Sequence, residues 1–184
     1  MGHCEVIKAK VIFADEIFNF EDMRTVDTGI DLTNATFDTN NARIKICVLE
    51  CGDFECVEDP CGTKKHKLKG KITFAICEDF KINVGCKQKP MEHFFRVTKE
   101  FTFNKPFCED LKNIDPNCPG LRIDKDSLEC QIEKISGTNI IEIKDKTKFT
   151  QNLKIEVKII AEIERLLCVS LCQNIGNIRL VRDC

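Results

Sequence analysis

The chain has 184 residues, with 13 Cys, 13 Phe, no Trp, no Tyr and a net charge of -2. A chain of this length fits one domain and buries roughly 70% of its unfolded surface, so it can build a core without cysteine. The near-neutral balance argues against a general nucleic-acid binder, and 42% hydrophobic with 32% charged residues argues against disorder.

From the N-terminus, Glu5, Lys8, Lys10, Asp15 and Glu16 break up any apolar stretch of signal-peptide length. No stretch anywhere approaches the roughly 18 apolar residues of a membrane span. Met1-Gly2 lacks the Ser or Thr that myristoylation wants at position 6, where Val6 stands, and Arg182-Asp183-Cys184 is not a prenylation box. Cytoplasmic synthesis is therefore expected.

The dominant period along the chain is two. Thr39-Asn40-Asn41 reads as a turn before an alternating run, Arg43–Val48, with Ile44, Ile46 and Val48 in one phase. Leu68–Ile76, Phe95–Val97, Phe101–Phe103, Leu128–Ile132 and Leu153–Ile159 alternate likewise. Alternation places apolar side chains on one face of a sheet and charges on the other. The residues used, Ile, Val, Phe and Thr, suit a pleated, half-buried surface. Asp115–Gly120 reads as a loop, and Ser136-Gly137-Thr138-Asn139 as a hairpin connection. Eight or more short strands predict an all-β or mainly β chain, an antiparallel β-sandwich of one domain over 1–184. An immunoglobulin core is excluded, because its Trp and Tyr are missing. Ile160–Leu167 fits two spacings: a strand continuing past a bend near Glu164-Arg165, which is preferred, or one short helix near 160–172.

The cysteines are the surplus to explain. Cys47, Cys77, Cys168 and Cys172 fall out of phase with their apolar neighbours, while Cys130 shares the phase of Leu128 and Ile132. Free cysteines acting as small core hydrophobes would show the opposite bias. Cys4 and Cys184 lie at the termini, and Cys51, Cys56, Cys61, Cys86, Cys108 and Cys118 sit in segments that read as loops. All twelve of these out-of-phase, terminal and loop thiols are cross-link candidates. Segments of about 1–10 and about 173–184 are expected to reach neighbouring subunits.

Two other chemistries compete. Cys51, Cys56, Cys61 and His66, uniformly spaced, offer four soft ligands for a zinc-binding interaction module, but the paired knuckles of structural zinc sites are missing. The run Lys64–Lys71 could meet phosphate, or the acidic patch Glu50, Asp53, Glu55, Glu58 and Asp59; it lacks aromatic interleaving and reads as a solvated loop plus the outer face of a strand. No hydrolase, zincin, phosphate-loop or dinucleotide motif occurs, and no Cys-x-x-Cys. A Cys86–His93 pair is the remaining candidate for a thiol enzyme or redox sensor. No catalytic residue, cofactor, nucleic acid or small-molecule substrate is assigned.

With Cys4, the cluster Cys47, Cys51, Cys56 and Cys61, the ending Leu166-Leu167-Cys168-Val169-Ser170-Leu171-Cys172 and Cys184, the chain resembles the cysteine-rich, self-assembling proteins of bacterial spore coats and exosporia, the clostridial exosporium basal-layer type above all. The Lys-, Ile-, Asn- and Phe-rich composition is similar to theirs. The resemblance implies a structural role without enzymatic activity. It implies synthesis in the mother-cell cytoplasm without a signal peptide and a final place on the spore surface. Oxidation would accompany assembly, and the partners would be further copies of the chain and other spore-surface proteins.

Overall fold

The computed structural model describes residues 3–62, 64–108 and 128–171, and only the backbone of 3–8, 39–41 and 165–171. These residues form six strands: β1 (His3–Asp27), β2 (Thr36–Glu58), β3 (His66–Val84), β4 (Lys87–Phe107), β5 (Leu128–Ile143) and β6 (Lys148–Leu171). Antiparallel pairing gives two three-stranded sheets, β1-β6-β5 and β2-β3-β4. The all-β expectation holds.

The two central strands carry the core, because each buries one complete phase. On β3 these are Leu68, Ile72, Phe74, Ile76, Phe80 and Ile82; on β6 they are Phe149, Leu153, Ile155, Val157, Ile159, Ala161 and Ile163. Each fully buried Ile or Phe contributes about 1.5–3 kcal/mol. Phe18, Phe101 and Phe103 meet at centroid distances of 5.0–5.6 Å and tie β1 to β4. Along the same seam Asp22 on β1 accepts from Lys99 on β4 at 3.0 Å, and Arg24 lies 4.0 Å over the ring of Phe95. β5 lies over β2 on the opposite seam, where Ile46 fills the space beside Gly137.

Several expected boundaries dissolve into strand. There are six long strands among the described residues, of 16 to 25 residues each, rather than eight or more short ones. Ser136–Asn139 is the interior of β5, paired with Glu156–Leu153, and the connection to β6 lies at Lys144–Thr147. Gly137 serves a close approach of the two sheets instead of a turn, since a Cβ there would collide with Ile46 Cδ1. Thr39–Asn41 is likewise a register irregularity inside β2, between Asp38 and Arg43. The short helix near 160–172 is not formed among the described residues: β6 runs unbroken to Leu171, paired with β1. β1 itself escapes a simple reading of alternation because its register shifts between Ile12 and Ala14.

Candidate functional site: inward and outward cysteines around a buried polar layer

Two β-bulges decide where the cysteines of β2 point. In the register of β2 on β3, Val48 opposes Phe74 and Glu50 opposes Thr73, so Leu49 is an extra residue. A second extra residue falls between Gly52 and Glu55, where Gly52 has φ 151° and Asp53 φ 50°. Each bulge reverses the phase of the strand residues beyond it. Cys47 therefore faces outward, whereas Cys51 and Cys56 stand opposite the buried Ile72 and Leu68 and face the core.

The inward cysteines pair. Cys51 on β2 is bonded to Cys130 on β5, joining the two sheets, with a Cα–Cα distance of 5.6 Å. Cys56 is bonded to Cys108, just past the end of β4, with a Cα–Cα distance of 6.1 Å. All four pack with the main core cluster. The loop placement expected for Cys51 and Cys56 is thus corrected: both are strand residues, and the bulges disguised it. Cys108 follows directly on β4 and is buried, not a surface-loop thiol.

The outward cysteines stay free. Cys47, Cys61, Cys77 and Cys86 are exposed thiols. Cys47 and Cys77 lie on the outer face of the β2-β3-β4 sheet, Cys61 in the β2–β3 loop and Cys86 in the two-residue turn between β3 and β4. The outward phase expected for Cys47 and Cys77 is what the structure has, as is the inward phase of Cys130. Cys118, Cys172 and Cys184 lie outside the described residues. Of Cys4 and Cys168 only the backbone is described, in β1 and β6, where Cys4 opposes Ser170 and Val6 opposes Cys168.

The four candidate zinc ligands do not converge. Cys51 and Cys56 give their sulfurs to different partners on different elements. Among the described residues no three His, Cys, Asp or Glu side chains form a group suited to a metal ion. Nor do Cys86 and His93 meet: they stand seven residues apart along an extended hairpin arm, about 20 Å. His93 is half-buried instead, stacked on Phe149 with centroids 5.9 Å apart, and burial lowers its pKa.

Two lysines of the run pair with carboxylates of the neighbouring strands and loop. Lys67 meets Asp59 at 3.2 Å, and Lys69 meets Glu55 at 3.4 Å and Glu100 at 2.8 Å. Hydrogen bonding to Glu100 raises the pKa of Lys69 and lowers that of Glu100.

One polar layer crosses the core and was not anticipated. Glu78 is the one charged residue in the inward phase of β3, and Gln151 the one polar residue in the inward phase of β6 between Phe149 and Ile163; both are 1% exposed. Gln151 Nε2 donates to Glu78 Oε2 at 2.6 Å, and Asn139 Nδ2 donates to Glu78 Oε1 at 3.0 Å. Arg24 flanks Gln151 on β1, and His93 flanks Glu78 on β4. Burial raises the pKa of Glu78, partly offset by the Gln151 hydrogen bond and by the charge of Arg24. The other amide oxygens, Asn139 Oδ1 and Gln151 Oε1, are buried and accept no hydrogen bond among the described residues. This layer separates the main core from a smaller cluster around Leu32, Phe80, Ile82 and Phe149. A lone Glu at an apolar phase position is the sequence signal that would have found it.

No protein-family model, curated protein or solved structure matches the chain.

Proposed function

We propose that the chain is a structural protein whose copies associate into an ordered array, ring, sheet or fibre and are then locked by intermolecular disulfides. The observation that carries this reading is the division of its cysteines. Two disulfides occupy the inward thiols, while Cys47, Cys61, Cys77 and Cys86 face solvent on a sheet face, a loop and a turn. A core of this size does not need further cross-links, so the outward thiols are better used between molecules. The resemblance to spore-coat and exosporium proteins supports a protective layer or appendage of a bacterial spore as the setting. Synthesis would then be in the mother-cell cytoplasm, with oxidation during assembly. The terminal segments, carrying Cys4 and Cys184, would add links to neighbouring subunits.

Purified full-length chain, oxidised gently and imaged by negative-stain electron microscopy, is expected to give ordered assemblies and a ladder on a non-reducing gel that collapses with reductant. A monomer under both conditions, with no ordered assembly, overturns the reading.

A further inference from the structure

The outer face of the β2-β3-β4 sheet has a composition its charged surroundings do not explain. The register aligns its outward side chains in rows across the three strands. One row is Cys47, Ala75 and Arg96; the next is Lys45, Cys77 and Phe94; the third is Arg43, Asp79 and Glu92. Cys47 and Cys77 are exposed free thiols, and Phe94, directly opposite Cys77, is 65% exposed. The two thiols are diagonal neighbours. Diagonal positions lie about 7–8 Å apart, beyond the roughly 3.8 Å between Cβ atoms that a disulfide needs, so they do not satisfy each other.

We propose that a second copy of this chain docks on this face about a two-fold axis running along β3, and that Cys77 bonds Cys77 of the second copy. The proposal rests on the self-assembly reading above and names one of its contacts. A rotation about β3 exchanges β2 with β4 and keeps each row facing itself, as an isologous contact requires. Arg43 then meets Glu92 of the second copy, twice. Lys45 meets the exposed ring of Phe94, twice, a cation–π contact. Cys47 meets Arg96 and stays reduced. The Asp79 carboxylates meet near the axis, each with Arg43 as its cross-strand neighbour. The outward side chains of β3 in the middle of the face, Thr73, Ala75 and Cys77, are small. They let the two faces close to the roughly 7 Å or less between Cα atoms that a disulfide needs, while the longer side chains of β2 and β4, the edge strands of this sheet, splay to its sides to pair. The reaction is an oxidation: two thiols lose two protons and two electrons as the S–S bond forms. A low-molecular-weight disulfide such as oxidised glutathione accepts them and leaves as two thiols.

The test uses the full-length chain with oxidised glutathione, a non-reducing gel and a peptide map. A covalent dimer linked Cys77 to Cys77 is expected. Cys77→Ser should lower its yield at least ten-fold and Cys47→Ser by less than two-fold. Arg43→Glu should slow dimer formation at least five-fold, and Arg43→Glu with Glu92→Arg should restore it, because the charge pair is exchanged and not removed. Phe94→Glu, at an exposed site, should slow it as well with the thiol in place. A dimer that forms equally well in Cys77→Ser, a Cys47–Cys77 link in the map, or a charge exchange that fails to rescue overturns the proposal. Ordered assemblies that persist in Cys77→Ser would leave the self-assembly reading standing while this face fails. Loss of ordered assemblies from every form, with the Cys77 dimer intact, would do the reverse.

Discussion

Cys51 and Cys130 stand 79 positions apart in sequence, yet their Cα atoms lie 5.6 Å apart, and theirs is the one disulfide that joins the two sheets among the described residues. It closes β2 onto β5 at the seam where Gly137 and Ile46 also meet. Chain entropy makes a loop of this length worth about 4.5 kcal/mol, a little above the roughly 2–4 kcal/mol typical of disulfides. Replacing both residues by Ala is expected to lower stability by several kcal/mol, read by urea unfolding as a lower midpoint with a steeper slope, because the uncross-linked unfolded chain exposes more surface.

The outward thiols should be chemically distinct from the inward ones. Native protein treated with iodoacetamide is expected to carry label on Cys47, Cys61, Cys77 and Cys86, and none on Cys51, Cys56, Cys108 and Cys130 until it is reduced and unfolded. Peptide mass spectrometry reads this directly.

Gly70 faces inward on β3 between Leu68 and Ile72, and a Cβ there would lie 2.6 Å from the tip of the Phe101 ring and 3.0 Å from Phe54. The Phe101 ring has little room to withdraw, because it also packs on Phe18, Phe54 and Phe103. Gly70→Ala is expected to cost about 1–3 kcal/mol by overpacking, measured by thermal or urea unfolding.

Glu78 and Asp22 should give pH dependences of opposite sign. The folded pKa of Glu78 is raised, so the native state holds its proton longer than the unfolded chain. Its contribution to stability therefore falls as pH rises from about 4 through the folded value. Glu78→Gln removes that loss and offers donors to the buried oxygens of Asn139 and Gln151. It is expected to be more stable than the parent at pH 7 by about 1 kcal/mol, with the advantage fading toward pH 4.

For Asp22, burial pushes the carboxyl up, but the hydrogen bonds from Arg24 and Lys99 outweigh it and hold the pKa below the usual range. Its stabilisation is complete above about pH 4 and is lost as pH falls through the folded value. Asp22→Asn should cost about 1–3 kcal/mol at pH 7 and flatten the acid limb of the stability curve.

The class of fold was legible because period-two alternation survives on β3 and β6, where one whole phase is buried. What alternation could not reveal was continuity. Gly137 and Thr39–Asn41 carry turn-forming residues inside strands, where one serves a close approach and the other a register shift. The outward placement of Cys47 and Cys77 followed from phase alone. The inward turn of Cys51 and Cys56 did not, since it depends on two bulges whose effect exists only in the pairing with β3. The Cys51–Cys130 and Cys56–Cys108 pairings are long-range and carry no local signature.

Strands this long and this regular have an alignment problem that their apolar residues do not solve. Sliding β6 by two positions would keep its apolar phase facing inward, with Leu153 or Phe149 taking the place of Gln151. The apolar pattern would register little change. Glu78 would, because its carboxylate would lose its 2.6 Å donor at a buried position, at a penalty of about 1–3 kcal/mol or more. The polar layer thus works as an indexing pin: it singles out one alignment from several that the hydrophobic pattern tolerates. Trading Glu78 and Gln151 together for leucine would remove the pin while keeping, or even improving, the burial.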